Sequence, residues 1–228
     1  MRKFLWPFML LLAGCALPPQ QPPAAPAPEA PPPAAAALPS ESWTLVASHL
    51  EVRVYRDGPM QKLGHNHLIT SDALEGTIAL REPLTKSGFD LRLALESLVV
   101  DDPEARNGAG ADFANPVPAK DRDATRHNLL GESVLDAAKQ SVLRLTAEEL
   151  SGEPGSYQAR VHVALRGEER VLSVPFTLTI EDGKLLARAN FHLTHGDIGL
   201  APFAAALGAL RVRDDFEIDL RLEARRAS

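Results

Sequence analysis

The chain has 228 residues, 45% hydrophobic but only 5% aromatic, with a single cysteine and a net charge of −6. That charge counts Arg2 and Lys3 near the N-terminus, and without these two positive residues it is −8. An acidic chain without clustered Lys and Arg speaks against nucleic-acid binding and against electrostatic docking on anionic lipid. One cysteine excludes any intramolecular disulfide, so stability has to come from a buried core.

Arg2 and Lys3 precede an apolar run from Phe4 to Leu12, and the run ends in Leu12-Ala13-Gly14-Cys15. A charged start, a short apolar stretch and small residues before the cut mark an export signal, and the run is too short to span a bilayer as a helix. Its ending resembles the bacterial lipobox, in which the cysteine is acylated and becomes the mature N-terminus. Residues 1–14 are therefore expected to be a signal peptide and Cys15 the lipidated residue. Several acyl chains on one cysteine hold a protein on a membrane far more firmly than one chain does. From Cys15 to Pro39 nearly every residue is proline, alanine or glutamine. Proline fixes φ and lacks a backbone donor, so 15–39 is expected to be an extended tether, partly polyproline II, reaching about 3.1 Å per residue. Ala16, rather than an aspartate, follows the cysteine. The expected site is thus the periplasm, with the anchor in the outer membrane's inner face.

Residues 40–228 suit one domain with a substantial core and show no internal repeat. Alternation of apolar and polar residues dominates. In "DDFEIDLRLEAR", Phe216, Ile218, Leu220 and Leu222 share one face and Glu217, Asp219 and Arg221 the other, the pattern of a half-buried strand. The same period recurs at Val52 and Val54, at Phe89 to Leu95, at Val161 to Leu165, at Val174 to Ile180 and at Leu185 to Leu193. "EDGK" and "LRGEER" are hairpin signals between consecutive strands, so the sheet is predicted to be antiparallel. Only Asp123 to Gln140 reads as helical, with Leu130, Val134, Leu135 and Ala138 near one face. The stretch from Asp101 to Lys120, rich in Gly, Pro and Ala, reads as an excursion of low regularity. Many amphipathic strands with one helix make an all-β barrel or sandwich. Small inward residues, Ala187 and Ala189 beside Gly76 and Ile78, leave room for a lumen.

The second half of the chain, "YQARVHVALRGEERVLSVPFTLTIEDGKLLARANFHLTHGDIGL" followed by "LRVRDDFEIDLRLEAR", resembles the YceI-like family of bacterial periplasmic proteins. Upstream, "SHLEVRVYRDG" and "GHNHLI" are similar to the first strands of those members that carry a Gly-His-x-His element, and "RHNLLGESVLDAAKQSVLRLTAEEL" to the family's helix and following strand. The resemblance implies an eight-stranded, lipocalin-like antiparallel barrel with one short helix. It implies a lumen for an isoprenoid-type lipid, such as a polyprenyl or quinone tail, with no catalysis and no other cofactor. The lipid and, through Cys15, the membrane are the partners it implies.

His65 and His67 are the most chemical-looking pair. On a strand, residues two apart share a face, and a histidine pair suits zinc, copper, nickel or iron. Three readings follow: hydrogen bonds that pin a strand start, contacts to a ligand headgroup, or a metal or redox centre completed by His195, which falls on the inward side when counted from Phe191 and Leu193. The candidate ligand-binding set is His65, His67, Ile78, Ala187, Ala189, Phe191 and His195. Arg81, Lys86 and Arg122 are candidates to meet a phosphate at the rim. A filled barrel serving as a structural or envelope-stress adaptor is the third reading of the whole domain.

Overall fold

The computed structural model describes residues 41–153 and 155–227. The expected signal peptide, Cys15 and the proline-rich segment lie outside the described residues. Eleven strands form one antiparallel sheet: β1 (Glu41–Asp57), β2 (His67–Ser71), β3 (Leu74–Leu80), β4 (Gly88–Ala94), β5 (Val99–Val100), β6 (Val142–Glu153), β7 (Ser156–Leu165), β8 (Glu168–Glu181), β9 (Lys184–Thr194), β10 (Ala204–Ala205) and β11 (Leu210–Arg226). Eight of them, in the order β1, β3, β4, β6, β7, β8, β9, β11, close into a barrel, because β11 pairs back onto β1 from Trp43↔Arg226 to Asp57↔Arg211. Closure leaves no long unpaired edge. β1 shifts register after Leu45 and again after Val54; its first residues pair with β3 and its later ones with β2.

Both predicted hairpins are present. Arg166 and Gly167 join β7 to β8 with φ of 54° and 75°, and Asp182 and Gly183 join β8 to β9 with 50° and 73°. Left-handed backbone at both central residues is the geometry whose twist matches that of the flanking strands. Between β3 and β4 the backbones come close at Gly76, where φ is +143° and a Cβ would lie 2.1 Å from the Asp90 carbonyl oxygen.

The helical region departs from its sequence reading. The longer helix, which follows a short one, runs Ala119–Leu130, not 123–140, and Gly131 ends it in extended backbone. Val134 and Leu135 lie in the turn that follows and are buried, so their helical spacing reflects plugging of the barrel end instead. Nor is 101–120 irregular throughout. A short helix, α1 (Pro103–Gly108), precedes the longer α2; Asp102 caps it by accepting from the N–H groups of Glu104 and Ala105, both at 3.0 Å, with proline at the first helical position. Among the described residues no helix is long and apolar enough to cross a membrane.

Candidate ligand-binding site

Because strand side chains alternate, each barrel strand sends every second residue inward. Leu50 of β1, Leu74 of β3, Leu91 of β4, Leu145 of β6, Val161 of β7, Leu172 of β8, Ala187 of β9 and Leu220 of β11 all border one cavity of about 290 Å³. That volume lies at the lower edge of the range for small-molecule sites. The lining continues from Ile78 and Leu80, near the end where β1 begins, to Leu135, Ile198 and Leu200 in the connections at the opposite end. At the first end Trp43, Ile78, Leu185 and Ala224 pack into a compact apolar cluster. The lining is aliphatic with few aromatics, a direct expression of the 5% aromatic content.

Of the residues singled out in the sequence, Ile78, Ala187, Ala189, Phe191 and His195 border this cavity. His195 is 8% exposed; its ring meets Phe216 edge-on at 5.1 Å, and its Nδ1 donates to the Asp214 carbonyl oxygen at 2.6 Å. Arg81, Lys86 and Arg122 do not border the cavity, and neither do His65 and His67.

The histidine pair belongs to a different arrangement. β2 begins at His67, so His65 precedes the strand instead of sharing its face, and the two rings stand 6.4 Å apart at 61°. His67 Nδ1 donates to Asp101 Oδ2 at 2.6 Å, and the Leu68 N–H donates to Asp101 Oδ1 at 2.9 Å. Arg106 of α1, 4% exposed, donates to the same carboxylate and to the Asn66 carbonyl at 2.8 Å. Asn66 in turn accepts from the Arg56 N–H and donates to the Asp112 carbonyl, at 3.1 and 3.0 Å. The motif therefore fastens the entrance of β2 to α1 and the loop after it. Phe113 is buried over this node, within 5.6 Å of the Arg106 guanidinium and 5.7 Å of the Tyr55 ring. Burial acts to raise the Asp101 pKa, but the contacts with His67, Leu68 and Arg106 outweigh it and hold the carboxyl below its ordinary range. Burial and the hydrogen bond to Glu217 push the Tyr55 hydroxyl up to about 12. Among the described residues, no group of three or more His, Cys, Asp or Glu side chains is placed to hold a metal ion; His65, His67 and His195 do not converge.

Asp101 and Arg106 escaped the sequence reading. Their partners lie 33 to 40 residues away in the chain, at Asn66 to Leu68, and no local spacing announces them. The signal present was Asp101-Asp102-Pro103, a helix cap beside a buried acid.

Fold and site together define a lipocalin-like β-barrel with an apolar interior. No family model matches the chain, and no curated protein matches it. Solved structures do. Burkholderia cenocepacia BcnA is similar with a TM-score of 0.55 at 9% identity, over 77% of this chain and 95% of that one. A polyisoprenoid binding domain from Saccharophagus degradans, implicated in plant cell wall breakdown, is similar with a TM-score of 0.52 at 14% identity, over 82% and 99%. The YCEI protein of Campylobacter jejuni aligns with a TM-score of 0.49 at 11% identity, over 68% and 82%. At these identities the likeness is one of fold.

Proposed function

We propose that this chain is a YceI-like lipoprotein that binds or carries an isoprenoid-type lipid in its barrel lumen, without catalysis, while Cys15 anchors it in the bacterial envelope. The observation that carries this reading is a cavity bordered by apolar side chains from all eight barrel strands. Such a lumen has little use for a charged substrate but suits a branched hydrocarbon, which gains roughly 25 cal/mol for each Å² of apolar surface removed from water. The fold shared with a polyisoprenoid binding domain supports the choice of an isoprenoid over a straight fatty chain. The proline-rich segment from Cys15 to Pro39 would let an anchored barrel stand off the bilayer, on the periplasmic side of the outer membrane in this reading.

The test is lipid extraction and mass spectrometry of the full chain isolated from membranes in mild detergent. One isoprenoid-type molecule per chain is expected. A chain that carries no apolar molecule, and takes up none when isoprenoids are added, would remove the proposal.

A further inference from the structure

Two residues of the lining, Arg188 and His195, are not apolar. His195 borders the cavity while only 8% exposed, and its Nδ1 sits 2.6 Å from the Asp214 carbonyl oxygen. A carbonyl only accepts hydrogen bonds, so Nδ1 carries the proton, and Nε2 of the neutral ring is left as an acceptor. Among the described residues the hydrogen bonds of His195 are made by its backbone N–H and its Nδ1, and none is made by Nε2. The edge-on contact with Phe216 fixes the ring plane. A ring held at Nδ1 and packed on one side presents its remaining lone pair in a fixed direction.

The charges around the lumen narrow the headgroup further. Among the described residues Arg188 is the one permanent cation bordering the cavity; it lies between inward Ala187 and Ala189 and is exposed, so alternation turns its side chain outward. A phosphate or pyrophosphate drawn inside would leave its charges without a guanidinium or ammonium to meet them, an arrangement that strongly disfavours burial. A neutral headgroup with an O–H donor is what the lumen can satisfy. An oxidised quinone has only acceptors to offer to Nε2.

Resting on the lipid-carrier reading, we propose that His195 is the residue that sets headgroup specificity, and that the lumen takes a neutral isoprenoid ending in a hydroxyl that donates to Nε2. An isoprenoid alcohol and a quinol share this chemistry.

Competition against a fluorescent apolar probe, with the full chain in detergent, tests it. The competitors are geranylgeraniol, its methyl ether, geranylgeranyl pyrophosphate, decylubiquinol and decylubiquinone. One neutral hydrogen bond corresponds to a preference of about five- to tenfold. Wild type is expected to favour the alcohol over the ether by that factor, with the pyrophosphate weakest, and His195→Phe to bring alcohol and ether level. A like preference for quinol over quinone assigns the hydroxyl to a quinol as well as to an alcohol; without it the alcohol is the ligand. Equal binding of alcohol and ether by wild type, a preference that survives in His195→Phe, or tightest binding of the pyrophosphate overturns the assignment. The alcohol and ether comparison in wild type decides the matter even if the variant fails to fold. Binding of the ether as tightly as the alcohol leaves the lipid-carrier reading standing and removes only the role of His195. Binding of none of the competitors removes both.

Discussion

At the scale of single residues, the most demanding group is Asp101. It is fully buried at a left-handed φ of 53°, a conformation that Asp and Asn tolerate better than most residues. Asp101→Asn therefore keeps the backbone and nearly the shape but removes the charge facing Arg106 and His67. Breaking one partner out of a buried pair costs about 3 kcal/mol, which urea denaturation at pH 7 should show. The pH dependence has a definite sign. A carboxyl whose folded-state pKa is depressed stabilises the fold above its unfolded value of about 3.9, and the contribution disappears as pH falls through the depressed value. The stability gap between wild type and Asp101→Asn should accordingly be open at about pH 5 and close below about pH 4. A gap that stayed open in acid would show that the charge is not what stabilises the node.

At the scale of elements, close backbone approach and turn geometry make separable demands on glycine. Gly183 has a φ of 73° with open space where a Cβ would project, so Gly183→Ala carries only the conformational cost, about 1–2 kcal/mol. Gly76 adds a clash with the β4 backbone, and Gly76→Ala should cost about 3 kcal/mol or more. Thermal melts of the two variants side by side check the order; equal losses would mean that the β3–β4 contact yields without cost. The long strands were legible because half-burial imposes a period of two: Phe89 to Leu95, Phe216 to Leu222 and Leu185 to Leu193 print that period directly. The α2 end was not, since Leu130, Val134 and Leu135 repeat at helical spacing across a break at Gly131. The α1 region was missed because Asp102-Pro103 reads equally as a loop and as a capped helix start. Lumen-facing Ile78, Ala187, Ala189 and Phe191 followed from counting by twos, whereas His195 lies one residue past β9 in helical backbone and borders the lumen from the turn that follows the strand. His65 did not, because β2 begins two residues later than a strand through both histidines requires.

At the scale of the whole molecule, closure of β11 on β1 turns eight half-buried strands into one apolar interior, and the small side chains of β9 leave part of it open. Filling that space should abolish binding without abolishing the fold. Ala189→Phe carries an overpacking cost of about 1–3 kcal/mol and is expected to lower uptake of a fluorescent apolar probe at least tenfold. Asn190→Phe, one residue along and on the exposed face, should leave uptake unchanged. Equal effects of the two would place the probe somewhere other than the lumen. The central claim, that the lumen is a lipid site, is tested most directly by a crystal structure of the chain purified from membranes with its lipid retained. Continuous elongated density is expected to run through the barrel from beside Ile78 to beside Ile198, ending in a polar group next to His195. A lumen closed by repacked side chains, or bound lipid confined to the outer surface of the barrel, would contradict it.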